Sequence, residues 1–285
     1  MTSMQEIVRS FSAAFTLPEI YFRVKEIVDS PDSSMDDLAN VLKFDPAIAA
    51  KILQIVNSPL YGFPRQVDTM TRAVNIIGMQ AVSDLVTAMT VSRTFVGMTS
   101  DVFDLPAYWR KSVLCALLAD KAAKTCGIEE SERFFIEGLL RDIGHLVLYQ
   151  ALPQQAQAAL IDSRRSDMSL AQAEYASMGF NFSTVGAELI RAWAMPAHIE
   201  QAIRYQLYPT EAKEFALHAS VVALAGAIAD HAESAQSPAD QFAPFPVHSL
   251  PLTQFNAQAQ RALLNDAQAQ LQDVLALISP HAVAA

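Results

Sequence analysis

The sequence predicts an all-α protein built as two helical lobes followed by a tail. Apolar residues recur at the three- and four-residue spacing of amphipathic helices, and no segment alternates β-branched and polar residues as a half-buried strand does. Alanine, the strongest helix former, is very frequent. With 285 residues and 52% apolar content, the chain can bury a substantial core.

Helix boundaries in the first lobe are marked by proline and by capping residues. Pro18 begins a helix through about residue 29. Ser34 can cap the next helix, with Asp37 three residues on as a capping-box partner. A short helix follows at about 71–77 and ends near Gly78, and another spans about 80–95. Residues 1–97 are therefore predicted to form the first lobe.

The segment between Asp45 and Pro59 is predicted as one well-delimited helix. Asp45 offers an N-cap acceptor, and Pro46 suits the first helical position. The helix should end at Asn57-Ser58-Pro59, because a residue before proline is disfavoured in the α region. Asn57 could bind the backbone groups exposed there. A ligand-contacting role for Asn57 and Ser58 is the alternative.

The second lobe, residues 98–235, is predicted to contain the longest helices. A connector at about 97–106 leads into helices at about 106–126 and 131–151, then shorter ones and a long one at 212–235. Residues 236–285 combine a proline-rich loop with a final amphipathic helix at about 254–278. The apolar stripe of this final helix must pack on this domain or on another chain. The stripe consists of Leu263, Leu264, Leu271, Leu275 and Ile278.

Charge and hydropathy exclude several classes of function. A formal net charge of −10 argues against nucleic-acid binding, which requires a concentrated basic surface. The longest apolar stretch, residues 219–229, is far shorter than the roughly 20 residues that span a bilayer. Cys115 and Cys126 share one predicted helix about 16 Å apart, too far for a disulfide. We expect a cytoplasmic protein that contacts neither membrane nor nucleic acid.

One motif carries most of the functional information. Residues 134–145 read Phe-Phe-Ile-Glu-Gly-Leu-Leu-Arg-Asp-Ile-Gly-His. This segment resembles the metal-binding helix of the HD phosphohydrolase superfamily, G-L-L-H-D-I-G, in which the His-Asp pair binds a divalent metal. Here Arg141 replaces the histidine and Asp142 is retained. A guanidinium stays protonated at any working pH and cannot donate to a metal.

Motifs of the first lobe match a related family in order and spacing. They are Leu17-Pro18-Glu19, Phe44-Asp45-Pro46, Lys51-Ile52-Leu53, Val56-Asn57-Ser58-Pro59, Tyr61-Gly62 and Thr71-Arg72-Ala73-Val74 with Ile77-Gly78. Over about residues 10–230 the chain resembles the HDOD domain, a bacterial signalling module derived from the HD fold. The resemblance implies a two-lobed helical HDOD bundle.

The resemblance also assigns the positions of the former metal ligands. By this alignment the first histidine is Lys111, the His-Asp pair is Arg141-Asp142, and a further histidine is Phe182. The first residue of a His-His pair is Gln206, and the distal aspartate falls on Gly226. One surviving carboxylate cannot hold Mn, Fe or Zn, so no metal and no cofactor are expected.

Two interpretations of Lys111, Arg141 and Asp142 remain open from the sequence. These side chains could form a salt-bridge cluster that replaces the charge of the metal. Alternatively, the two cations could form a pocket for a phosphate or nucleotide. The histidines show no spacing typical of a metal site and are expected to be core or surface residues.

The sequence thus predicts a non-catalytic, regulatory HDOD protein with a degenerate metal site. It would act in bacterial signal transduction by binding a partner protein or a small effector. The alternative is a metal-dependent phosphohydrolase acting on nucleotides or cyclic dinucleotides. A homodimer formed through the proline-rich loop and the final helix is a further hypothesis.

Overall fold

The computed structural model describes residues 3–58, 61, 63, 65–98, 103–128, 131–233, 252 and 254–278, and all regular structure within them is helical. The predicted all-α fold is confirmed. Pro59, Gly62 and most of the proline-rich stretch lie outside the described residues. In chain order the helices are α1 (Met4–Ala14), α2 (Glu19–Asp29), α3 (Met35–Leu42), α4 (Pro46–Val56), α5 (Met70–Ile77), α6 (Met79–Thr94), α7 (Leu105–Thr125), α8 (Glu132–Leu140), α9 (Ile143–Ala151), α10 (Pro153–Arg165), α11 (Leu170–Met178), α12 (Phe182–Ala192), α13 (Ala197–Tyr205), a 3₁₀ helix (Pro209–Phe215), α14 (Ala216–Glu233) and α15 (Ala257–Ile278).

Local chemistry sets the helix ends of the first lobe. The Asp45 carboxylate accepts hydrogen bonds from the N–H groups of Ala47 at 3.1 Å and Ile48 at 3.0 Å, and Pro46 is the first residue of α4. Gly78 lies between α5 and α6 with a φ of 86°. A side chain would be strained in that conformation, so glycine permits the sharp turn between these helices.

The side chain of Asn57 ties the end of α4 to a later part of the chain. Its amide group donates to the carbonyls of Leu53 and Val67, and its oxygen accepts from the N–H of Val67, each at 2.7 Å. The Ser58 hydroxyl donates to the carbonyl of Ile55 at 2.7 Å. Both motif residues therefore satisfy backbone groups where the helix ends.

The buried apolar residues form two cores. The first is formed by buried apolar side chains between Val24 and Met89, contributed mainly by α2 to α6. The second joins α7 to α14 with α15, and it also includes Ile7, Val8 and Phe11 of α1. Helix α6 contributes to both cores, with Val86 and Met89 in the first and Val91 in the second. The first helix thus packs with the second lobe, and α6 links the two cores.

The apolar stripe of α15 is buried within the same chain. The helix packs on α7, with further contacts to α4, α6 and α14. The buried stripe comprises Leu263, Leu264, Ala267, Leu271, Val274, Leu275 and Ile278. The sequence left open whether the stripe packs on this domain or on another chain. In the structure it packs on this domain.

Helix α14 is the most apolar long helix of the fold. By length and composition, the stretch Pro209–Glu233 could cross a membrane, and half of its apolar window is buried. The bent pair α5 and α6 would pass the same test only as one span, although its halves meet at 112°. Helix α14 packs against α7, α8 and α13, the position of a core helix.

The predicted helix over 131–151 is broken, which corrects the sequence interpretation. Helix α8 ends at Leu140 and α9 begins at Ile143, and Asp142 between them has φ −99° and ψ 11°. Glycines on either side of the break allow close packing. A Cβ atom on Gly138 would lie 2.5 Å from the carbonyl oxygen of Cys115. One on Gly144 would lie 1.9 Å from the carbonyl oxygen of Phe182.

We expect Gly144→Ala to destabilise the protein by about 2–3 kcal/mol or more, because its new methyl group would overlap the backbone of α12. Helix propensity alone would make alanine the more stable residue. The sign of the change in the free energy of unfolding, measured by urea denaturation, therefore distinguishes the two effects. A Gly144→Ala variant as stable as the parent would contradict the close packing of α9 on α12.

Candidate functional site

Four charged side chains meet where the HD superfamily binds its metal. Lys111 lies on α7, Arg141 and Asp142 lie at the break between α8 and α9, and Asp230 lies on α14. The Lys111 Nζ atom is 3.0 Å from Asp142 Oδ2 and 2.5 Å from Asp230 Oδ1. The Arg141 guanidinium is 3.2 Å from Asp142 Oδ2 and 3.0 Å from Asp230 Oδ2. We call this set the four-charge cluster.

The cluster is formally neutral, and its inner members are buried. Arg141 is 8% and Asp142 5% exposed, whereas the Asp230 side chain is 47% exposed at the rim. Burial alone would raise the pKa of Asp142, but Arg141 and Lys111 outweigh it and hold that pKa well below its usual range. The pKa of Lys111 is raised, because Asp142 and Asp230 outweigh its burial. Lys111, Arg141 and Asp142 therefore stay charged around neutral pH.

The second carboxylate of the cluster belongs to Asp230, whereas the resemblance placed the distal aspartate at Gly226. Gly226 lies one helical turn earlier on α14, against the guanidinium of Arg141. A Cβ atom there would be 2.2 Å from Arg141 Nε. The absence of a side chain at Gly226 thus makes room for Arg141. Asp230 was missed because the alignment around Gly226 is loose, although both residues lie on the predicted helix 212–235.

Gln206 supports the broken helix from α13 and is 4% exposed. Its amide nitrogen donates to the carbonyl of Arg141 at 2.9 Å and to the carbonyl of Ile203 at 3.0 Å. The carbonyl of Arg141 lies at the end of α8, where helical partners are lacking. Gln206 therefore holds the backbone that carries Arg141 and Asp142.

Phe182, the other replaced histidine position, lies in an aromatic stack. Its ring is 4.2 Å from the ring of His145, and the ring of Tyr149 stacks on His145 at 5.4 Å. The His145 Nδ1 atom is 3.0 Å from Glu174 Oε1, and the other carboxylate oxygen accepts from the N–H of Phe182 at 2.8 Å. These contacts fix α9, α11 and α12 together. The first-lobe motif residues Asp45, Pro46, Asn57, Ser58 and Gly78 make their contacts within the first lobe.

The four-charge cluster does not fit a divalent metal. HD enzymes combine imidazole and carboxylate donors, but here an ammonium and a guanidinium occupy two of the positions that the resemblance aligns with histidines, and neither can donate a lone pair. Both cations already face carboxylates, so an incoming anion would have to displace Asp142 or Asp230. Of the two interpretations left open by the sequence, the geometry favours a salt-bridge cluster that replaces the charge of the metal.

The fold is an all-helical bundle, and cations occupy two of the positions that the resemblance aligns with metal-binding histidines. The model of the HDOD domain family matches residues 15–209. The chain therefore belongs to the HDOD domain family, as its motifs predict.

Similar proteins have been found by sequence and by structure. An uncharacterized protein of Treponema pallidum (strain Nichols) is 23% identical over 205 residues, or 66% of this chain, and the match covers 36% of that longer protein. A Shewanella amazonensis SB2B structure named "Putative phosphohydrolase" superposes with a TM-score of 0.75 at 22% identity, covering 96% of this chain and 98% of that one. A Marinobacter aquaeolei VT8 structure named "Putative signal transduction protein" gives 0.69 at 20% identity, covering 96% and 61%. At these identities the two structures show a shared fold.

We expect Arg141→Ala to lower the free energy of unfolding by about 3–5 kcal/mol, because it leaves Asp142 buried with less compensating charge. The matched control is Arg191→Ala. Arg191 also pairs with a carboxylate, Glu188, but its side chain is 64% exposed. Loss of that pair should cost less than about 1 kcal/mol. Equal losses in the two variants, measured by chemical denaturation, would contradict a stabilising role for the cluster.

We expect the stability of the protein to fall below about pH 4 in a way that depends on Asp142. The pKa of Asp142 is lower in the folded chain than in the unfolded chain, so its contribution is complete above the unfolded value of about 3.9 and is lost as pH falls through the folded value. In this window Asp142→Asn should make the slope of unfolding free energy against pH shallower by up to about 1.4 kcal/mol per pH unit. Parallel profiles for the two proteins would argue against a depressed pKa.

Proposed function

We propose that this chain is a non-catalytic signal-transduction protein, and that it acts by binding a partner protein or a small effector. The observation that carries the proposal is the four-charge cluster. Lys111 and Arg141 stand at the two histidine positions of the HD site and are paired with Asp142 and Asp230. Phosphoester hydrolysis in this superfamily needs a metal-activated water, and a site filled by two cations offers no ligand set to bind that metal.

Membership in the HDOD family supports a regulatory role. The similar Marinobacter protein is named for signal transduction, and that name agrees with the proposal. The formal net charge of −10 speaks for a protein or small-molecule partner rather than nucleic acid, and we place the protein in the cytoplasm. A homodimer would need a surface other than the apolar stripe of α15, since that stripe is buried in the same chain.

The second candidate is a metal-dependent phosphohydrolase acting on nucleotides or cyclic dinucleotides. Two observations favour it. The similar Shewanella protein carries a phosphohydrolase name, and Asp142 and Asp230 place two carboxylates in the cluster. The cluster lacks the imidazole donors of an HD metal site. This difference between the two candidates is small enough to be tested by substitution.

We expect the double variant Lys111→His with Arg141→His to gain one equivalent of divalent metal over the parent protein, because it recreates two imidazole donors beside two carboxylates. Elemental analysis of bound Mn²⁺ after gel filtration measures the gain. Adding Asp230→Asn to the double variant should abolish it.

The parent protein should show no hydrolysis of nucleotides, cyclic dinucleotides or a chromogenic phosphodiester with Mn²⁺, Fe²⁺ or Mg²⁺. Metal-dependent turnover by the parent that Asp142→Asn removes would establish the phosphohydrolase candidate and overturn the proposal. The far-UV circular dichroism of each variant serves as the folding control.

A further inference from the structure

A second group of polar side chains lies deep in the second lobe, away from the four-charge cluster. The carboxylate of Glu137, on α8, is completely buried. Its Oε1 atom is 2.7 Å from Nδ1 of His198 on α13 and 2.6 Å from Nδ1 of His218 on α14. Side chains from three helices thus place one carboxylate and two imidazoles close together. The three potential ligand atoms lie within 4.8 Å of one another.

We propose that Glu137, His198 and His218 form a binding site for a divalent first-row transition metal such as Zn²⁺. Two imidazoles and one carboxylate are a ligand set that suits Zn²⁺, Fe²⁺ and neighbouring metals. Ligands at about 2.0–2.1 Å in tetrahedral geometry lie about 3.4 Å from each other. The hydrogen-bonded nitrogen and oxygen atoms need to separate by less than about 1 Å to reach that spacing.

The charge of Glu137 supports the presence of a cation. Among the described residues, its hydrogen bonds and ion pairs come from the two imidazoles alone. Its second oxygen, Oε2, is inaccessible to solvent and has no hydrogen-bond partner. A buried carboxylate is unfavourable unless its charge is compensated and its lone pairs are used. A metal ion supplies the compensating charge and can bind either oxygen.

The surroundings of the cluster fit an oriented ligand set. The ring of Phe134 stacks on His218 with centroids 4.7 Å apart and planes 9° apart, and Phe215 meets the same ring edge-on at 6.0 Å. The His198 and His218 side chains remain 17% and 21% exposed, so both can adjust. Each imidazole would bind the metal through Nδ1 and carry its proton on Nε2.

A cleft between the lobes reaches one side chain of the cluster, His198. His198 lines a cavity of about 200 Å³ together with residues of α2, α6 and α8, among them Lys25, Ser83 and Thr87. The cavity is large enough for water and for a small ligand. A metal held by three protein atoms keeps a coordination position open, and this position would face the cleft where the two lobes meet. The site is therefore placed to couple metal binding to the contact between the lobes.

This site is independent of the proposed function. Glu137 lies four residues before Arg141 on the same helix, and neither it nor the two histidines take part in the ion pairs of the four-charge cluster. A metal bound here leaves Lys111, Asp142 and Asp230 unchanged. Failure of one idea does not bear on the other, because the variants that test them are different.

The test is a titration of Zn²⁺ into protein without a polyhistidine tag, stripped of metal by a chelator, with heat as the readout. We expect one equivalent of Zn²⁺ to bind and to raise the melting temperature. Glu137→Gln and His198→Asn should each raise the dissociation constant about 100-fold or more, since even residues that only support metal ligands contribute 10–100-fold. His145→Gln is the matched control. It removes an imidazole that also pairs with a buried glutamate, Glu174, and should leave Zn²⁺ affinity within about threefold.

Co²⁺ gives a second readout that needs no variant. Co²⁺ in a site of low coordination number shows intense visible absorption, whereas loosely bound octahedral Co²⁺ absorbs weakly. We expect the intense spectrum and its loss on adding Zn²⁺. The proposal is overturned by no Zn²⁺ binding to the parent protein, by binding that survives in a folded His198→Asn variant, or by the weak spectrum alone. Should Glu137→Gln fail to fold, His198→Asn and the Co²⁺ spectrum decide the question.

Discussion

The burial of the Asp142 carboxylate is the constraint on which the arrangement of the site depends. The helix is interrupted at this residue, between α8 and α9, and its carboxylate meets Lys111 of α7 and the guanidinium of Arg141. A buried carboxylate needs a positive charge close by. In the HD superfamily a metal supplies that charge, whereas here Lys111 and Arg141 lie 3.0 Å and 3.2 Å from Asp142 Oδ2. Asp230 then balances the second cation, and Gly226 leaves space for the guanidinium.

The four-charge cluster joins three parts of the second lobe, namely α7, the break between α8 and α9, and α14. Helices α7, α8, α13 and α14 pack against one another around the cluster. The two cations and two carboxylates have a net formal charge of zero. A divalent metal with its carboxylate ligands approaches the same net charge. Such a cluster holds helices together only while every member is present, because the removal of one charge leaves another buried without a partner.

The two polar centres of the second lobe differ in one physical respect. In the four-charge cluster, the partners of the carboxylates are an ammonium and a guanidinium, and neither group has a lone pair to give to a metal. Around Glu137, the donors are imidazoles, which can exchange a hydrogen bond for a bond to a metal. The Glu137 centre also adjoins the cleft between the lobes through His198. The proposed metal site would therefore lie about one helical turn before Arg141 along the chain.

The sequence by itself determined the helical class, the family motifs and the capping of α4 by Asp45. Each of these depends on residue types at short spacing, where local geometry is nearly fixed. The tertiary structure alone decided that the helix breaks at Asp142, that Asp230 rather than Gly226 completes the cluster, and that α15 packs on its own chain. It alone brought His198 and His218 to Glu137, from positions 61 and 81 residues along the chain. Contacts over such separations follow from how helices pack, and residue spacing alone does not predict that packing.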